Sequence, residues 1–271
     1  MRNYLSKYPL LNDKSWLQEQ YVNNGLSTIS IAKLAGSFCC NSVRRSLIRH
    51  NIPVRNSREG QIYNRKRDFI LNESVVIGCL LGDGYMKKHR KESKICAPYF
   101  AKTNKHLDHV QYVAGFLFNN PEKFVTSTTN LYKGRIFPRH ILRSYTDECL
   151  IPIYEKWYPE SNNYQKIVPL DIELNETILL HWFMDDGSSY CRSGRERRSK
   201  QIIISLASES FTKEEQEFLS QQMFEKWGLL VNIGKCKSGT GWRMYFRQSQ
   251  AELFFSIIGL PPVPSLAYKW K

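Results

Sequence analysis

Two apolar runs in this chain end in the same dipeptide. "IGCLLGDGY", residues 77 to 85, and "LLHWFMDDGSSY", residues 179 to 190, each carry a helical stretch into Asp-Gly. They lie roughly one hundred residues apart, which marks a duplicated structural unit. After Asp83-Gly84 come strand-like residues at the end of "YMKKHRKESKICAPYFAKT", a helix in "NKHLDHVQYVAGFLFN", two strands within "KFVTSTTNLYKGRIFPRHILRSYT" and a helix in "DECLIPIYEKWYP". After Asp186-Gly187 the same order returns: two strands in "SSYCRSGRERRSKQIIISLAS", a helix in "SFTKEEQEFLSQQMFEKWG", a hairpin in "LLVNIGKCKSGTGWRMYFRQ" and a helix in "SQAELFFSIIGL". The pattern predicts an α+β fold of two pseudo-symmetric αββαββα repeats, residues 71–170 and 171–271, with antiparallel sheets around a central pair of motif helices.

The 271 residues are 42% apolar, enough for a sizeable core. Lys plus Arg number 39 against 25 Asp plus Glu, a formal net charge of +14. That excess opposes compaction unless a polyanion offsets it, and nucleic acid is the partner it predicts. An aromatic content of 13% separates the chain from disordered basic tails. Seven cysteines, an odd number without C-x-x-C spacing, fit neither a disulfide framework nor a zinc site and are expected to be reduced, buried thiols. No run of about 18 apolar residues occurs, and "MRNYLSKYPLLNDKSW" lacks the unbroken apolar segment of a secretory signal. A soluble, intracellular, DNA-associated protein is expected, with organelle and bacterial or phage cytoplasm equally open.

Residues 1–55 read as a small all-helical unit. "KSWLQEQYVNNG", "STISIAKLAG" and "CCNSVRRSLIRHNIPVR" each carry apolar residues at helical spacing, with Asn24-Gly25 and Gly36-Ser37 as stops and Ser27 or Thr28 as a cap. Ala32 followed by Gly36, with Val43 and Leu47 beyond, is the pattern of a helix-turn-helix, in which a small residue lets two helices approach and the last enters the major groove. On that reading Ser42, Arg44, Arg45 and Arg49 face DNA. A polar, basic linker along residues 56–70 follows.

Gly78 and Gly82 share one helical face, allowing a neighbouring helix to come close. Asp83 then falls at a helix C-terminus, where the dipole disfavours a carboxylate. Asp186 is placed equivalently, so pairing the helices brings two carboxylates together. Their repulsion calls for a divalent ion, and oxygen ligands with phosphate point to Mg²⁺, two or more ions being shared between the acids.

"VIGCLLGDG" and "LLHWFMDDG" resemble the two copies of the motif that names the LAGLIDADG homing endonucleases, and "WFMDDG" resembles the monomeric two-motif subgroup related to yeast mitochondrial intron-encoded enzymes. The resemblance spans residues 70 to 271. It implies that Asp83 and Asp186 bind metal, with the carbonyls of Gly82 and Asp185 beside them. It also implies an Mg²⁺-dependent double-strand cut across the minor groove of a long asymmetric site, leaving short 3′ overhangs, in the service of intron homing. Two departures stand out: His181 occupies the position of the motif's glycine and is expected to pack in the helix interface, and Asp185 adds a second carboxylate.

Lys166 follows Asp83 by 83 residues, and Lys269 follows Asp186 by the same 83. Both also fall where the resembled subgroup keeps a basic residue beside each scissile phosphate, so both are candidate catalytic groups able to stabilise phosphate charge or order the attacking water. Saddle-shaped sheets would present Lys87, Lys88, Arg90, Lys94 and Lys102 from the first repeat, and Arg192, Arg195, Lys235, Lys237, Arg243 and Arg247 from the second, to the major groove. "RSGRERRSK" is expected to be a loop that orders on DNA. Two other readings stay open on the same scaffold: a splicing maturase that grips its own intron RNA, and a DNA-binding regulator without catalysis.

Overall fold

The computed structural model describes residues 8–37, 39–56, 68–88, 97–132, 134–193, 200–236 and 241–270. The chain divides into two compact units, residues 1–67 and 68–271.

The first unit is helical. Asp13 caps α1 (Lys14–Gln18) by accepting from the Trp16 N–H, and a π-helical turn, Glu19–Asn23, continues it. Ser27 caps α2 (Thr28–Leu34), Gly36 takes the left-handed turn at φ +68°, and α3 (Cys40–Arg49) follows. Leu11, Leu17, Ile31, Val43 and Leu47 are fully buried between these helices, and Ala32 joins them. Arg55 closes the unit: its guanidinium donates to the carbonyls of Tyr21 (3.0 Å), Gly25 (3.2 Å) and Leu26 (2.7 Å), binding the carbonyl end of the first helix.

The second unit repeats one plan twice. Its first half runs α4 (Glu73–Leu81), β1 (Tyr85–Lys87), β2 (Tyr99–Asn104), α5 (Leu107–Leu117), β3 (Val125–Tyr132), β4 (Arg135–Arg143), α6 (Ile151–Trp157). The second half runs α7 (Glu176–Asp186), β5 (Gly187–Ser193), β6 (Lys200–Leu206), α8 (Lys213–Trp227), β7 (Val231–Lys235), β8 (Trp242–Phe246), α9 (Ala251–Ile258). The sheets are antiparallel with matching orders, β1-β2-β4-β3 and β5-β6-β8-β7. This is the α+β, twice-repeated αββαββα architecture expected from the sequence.

The motif helices α4 and α7 pack on each other and start alike. Asn72 accepts from the Val75 N–H and Asn175 from the Ile178 N–H, each followed by Glu in the first turn, where the dipole favours it. Asn175 also donates to Ser74 Oγ at 2.8 Å, tying the two starts together. Apolar residues surround both helices, as burial on nearly all sides requires: Val75, Val76, Cys79 and Leu80 on one, Leu179, Trp182 and Phe183 on the other, all fully buried.

Close approach at the middle of the pair is asymmetric. A Cβ on Gly78 would lie 2.7 Å from both the His181 Cβ and the Ile178 carbonyl oxygen. One on Gly82 would lie 2.7 Å from the Asp185 carboxylate. The glycines of the first helix thus make room for the bulk of the second. His181 is buried, stacks on Tyr112 and meets the edge of Phe116. Burial, with Lys102 nearby, pushes its imidazole down to about 3 and keeps it neutral. It packs in the interface.

The cysteines correct one expectation. Cys39, Cys149 and Cys191 are exposed, Cys40 and Cys236 are partly so, and only Cys79 of the described free cysteines is buried. Burial, the largest influence on Cys79, pushes its thiol up to about 12. No described helix is long and apolar enough to cross a membrane.

Candidate active site at the ends of the motif helices

Both motif helices finish under a lysine. Lys166 Nζ donates to the carbonyls of Leu80 (2.9 Å), Gly82 (3.2 Å) and Gly84 (3.4 Å). Lys269 Nζ donates to Phe183 (3.4 Å), Met184 (2.8 Å) and Asp185 (2.7 Å). The equal sequence offsets therefore correspond to similar placements, sharing two of three acceptor positions, each cation on the negative end of a helix dipole. Burial lowers both ammonium groups below the ordinary lysine value, against the pull of the surrounding acids.

The two candidate metal acids differ in setting. Asp83 lies just past its helix and is exposed, while Asp186 is the last residue of α7 and half-buried. Burial, and next the charges of Asp83 and Asp185, push the Asp186 carboxyl up to about 7 in spite of Lys166 and Lys269. The Asp83 and Asp186 carboxylates repel each other, and the donors are hard oxygens, so the residues fit a divalent cation of the Mg²⁺ type. Among the described residues no cluster of three His, Cys, Asp or Glu side chains gathers as a metal site. An ion here would rest on two carboxylates, backbone carbonyls and groups brought by a substrate.

The Asp185 side chain lies elsewhere. It is fully buried, paired through Oδ1 with the Lys102 ammonium, and accepts the Asp83 backbone N–H on Oδ2 at 3.2 Å. Lys102, expected to read the groove, is instead wholly buried beneath it. Strand parity explains the correction: Lys102 pairs with Leu142 on the core face, whereas Ala101 and Arg143 point the other way. Lys88 is corrected for the same reason, being buried with its ammonium 4.9 Å from the Tyr154 ring centroid.

The other expected groove residues divide. Lys87 is exposed on the face of Tyr85, Tyr99 and Arg143, whose guanidinium sits 4.0 Å over the Tyr99 ring. Arg243 and Arg247 share the outer face of β8 with Tyr245, and Arg243 Nε also donates to Glu209 at 2.6 Å. Lys235 is exposed but reaches over Trp242 on the other face. In the first unit Arg44, Arg45 and Arg49 are exposed along α3, Arg49 touching Asn12 at 3.5 Å, and Ser42 is half-buried. Arg90, Lys94, Arg195 and Lys237, the side chain of Arg192, and most of "RSGRERRSK" and of the 56–70 linker lie outside the described residues.

Beside Asp83 and Lys269 a groove of about 440 Å³ opens toward Thr103, Asn130 and Arg139 of the first sheet. Thr103 and Arg139 carry its wall from the motif-helix ends onto the face opposite the core.

Against known proteins, a family model described as the LAGLIDADG DNA endonuclease family matches residues 73–254. The chain is 27% identical over 206 residues to the probable intron-encoded endonuclease 1 of Wickerhamomyces canadensis, covering 73% of this chain and 83% of that protein. It is 28% identical over 156 residues to the intron-encoded endonuclease ai4 of Dictyostelium discoideum, covering 57% of this chain and 92% of that one. The solved structure of the homing endonuclease I-WcaI bound to its DNA recognition sequence has the same fold, with a TM-score of 0.64 at 21% identity over 82% of this chain and 96% of that one.

Proposed function

The chain belongs to the LAGLIDADG DNA endonuclease family, and from that premise we propose that it is a monomeric homing endonuclease that cuts both strands of a long asymmetric duplex for intron homing. The observation that carries the reading is the doubled end: Asp83 with Lys166, and Asp186 with Lys269, each lysine fastened to the carbonyls three residues and one residue before its acid. A nuclease acting on two antiparallel strands needs two equivalent sets of groups related by a pseudo-dyad, and a duplicated αββαββα chain supplies them. The likeness to two intron-encoded endonucleases supports the homing role.

Asp83 and Asp186 would hold Mg²⁺, in one or more ions, with the unused lone pairs of the Gly82 and Asp185 carbonyls beside them, and the metal supplies charge that acidifies water and stabilises a leaving oxygen. Lys166 and Lys269 hold fixed positive charge where a phosphoryl oxygen gains negative charge, and their hydrogen bonds to the helix ends keep them from reorganising. Lys87, Arg139, Arg243 and Arg247 line the sheet faces for phosphates and base edges. In the first unit α3 enters a major groove with Arg44, Arg45 and Arg49.

The test is cleavage of a duplex recovered by selection from a randomised library in Mg²⁺. Wild type cuts both strands, while Asp83→Asn and Asp186→Asn still bind the duplex and make no double-strand break. A double-strand break by the variant carrying both substitutions would refute the assignment.

A further inference from the structure

The buried ion pair between Lys102 and Asp185 has no counterpart across the pseudo-dyad. Asp185 stands where the first helix has Gly82. In the first sheet Tyr85, two residues after Asp83, pairs with Ala101, and the next residue, Lys102, faces Leu142. In the second, Ser188, two residues after Asp186, pairs with Ser205, and the next residue, Leu206, faces Met244. A Gly–Leu combination in one half is therefore a charged Asp–Lys combination in the other. Buried ions cost several kcal/mol each to desolvate and are weak stabilisers. Something other than packing is needed to account for them.

Both partners are shut off from water, so Asp185 depends on Lys102 for its countercharge. Burial opposes the Lys102 ammonium, yet Asp185 beside it more than compensates and keeps it protonated above the ordinary lysine value. His109 also approaches, with Nε2 3.5 Å from Asp185 Oδ1, but burial pushes its imidazole down to about 2, leaving it neutral. The second oxygen of Asp185 accepts the Asp83 N–H at 3.2 Å. A carboxylate of the second motif, held by a lysine of the first sheet, thereby fixes the backbone of the first motif's catalytic acid.

We propose that Lys102 is a positioning residue that acts through Asp185 on Asp83, so that the protein sets its two cleavage centres by different means. This inference rests on the endonuclease reading above. Losing the contact displaces Asp83 while Asp186, the last residue of its own helix, keeps its place. One strand is then cut slowly, and a duplex nicked in the other strand accumulates.

Two double variants separate positioning from packing. Lys102→Met with Asp185→Asn is uncharged but keeps an oxygen for the Asp83 N–H; Lys102→Met with Asp185→Ala is uncharged and has none. On a selected duplex labelled on each strand, the Asn pair is expected to cut the strands in the wild-type ratio. The Ala pair should slow one strand by at least about tenfold relative to the other, displacement of a reacting group costing up to roughly 10²-fold. Lys102→Met alone, which leaves the buried Asp185 without its holder, should give the same nicked product. Thermal melting identifies any variant that fails to fold, and Lys102→Met then stands in for the Ala pair. Equal strand ratios for the Asn pair and the acceptor-less variant would overturn the proposal. If wild type cuts no duplex, the endonuclease reading itself has failed instead.

Discussion

The ends of the two motif helices carry the same pairing of an acid with a lysine on different packing. The end of α4 is lean: Gly78 and Gly82 face the partner helix, and Asp83 stands exposed beyond the last turn. The end of α7 is crowded: His181 and Asp185 fill the space those glycines leave, and Asp186 remains in the helix, half-buried. Acids and lysines recur at matched places, whereas interface residues are complementary. A duplicated unit can hold chemistry constant in both copies while one shrinks wherever the other grows, because only the sum of the two surfaces is constrained by close packing.

The strongest way to break the symmetry of the reactive groups is to remove either acid, and Asp83→Asn or Asp186→Asn is expected to abolish double-strand cleavage while a gel-shift assay still shows binding. Lys166→Met and Lys269→Met come next, each lowering the cleavage rate by about 10²–10³-fold, the size expected for losing one positioned stabiliser. The two lysine losses should be similar, since each ammonium holds the carbonyls three residues and one residue before its acid. Complementarity of the interface is sharpened by Gly78→Ala, whose methyl meets the His181 Cβ and the Ile178 carbonyl. Overpacking should cost about 1–3 kcal/mol, lowering Tm by several degrees in calorimetry, and His181→Ala in the same chain, which keeps the colliding Cβ, should not recover the loss.

The difference in burial between the acids predicts a pH effect. Asp186 binds its proton more tightly when folded, with a pKa of about 7 against 3.8. Its contribution to stability is thus complete below pH 3.8 and lost as pH rises through 7. In chelator, Asp186→Asn should melt above wild type at pH 8, by less at pH 5, and match it only below pH 3.8, and Mg²⁺ should narrow the gap at pH 8. The least change is expected in the first unit, where Arg44→Ala with Arg45→Ala should reduce the salt slope of DNA binding by about one per lost phosphate contact.

The repeat, the sheets and the lysine pair were legible because period and offset survive in sequence. What was not legible is which face of a short strand a basic residue takes. In "YFAKTN" Lys102 shares parity with buried Phe100, a signal that points inward, but a lysine in a basic chain reads as surface. Setting the repeats side by side by strand register would have placed Lys102 against Leu206 and exposed the anomaly. Asp185 was visible as a departure from the small residue of the first motif, yet its partner lies in the other repeat, beyond any local pattern. The exposed Cys39, Cys149 and Cys191 show the same limit, since residue type alone does not fix burial.

The central claim is that two acids on paired helix ends form one double-strand cleavage site. It is tested most directly by incubating a randomised duplex library with Mg²⁺ and either wild type or the Asp83→Asn, Asp186→Asn double variant, then sequencing the cut ends. Wild type should return one long asymmetric site cut on both strands, and the double variant should return none while still retaining that duplex on a filter. Recovery of the same cut site from the double variant would contradict the account.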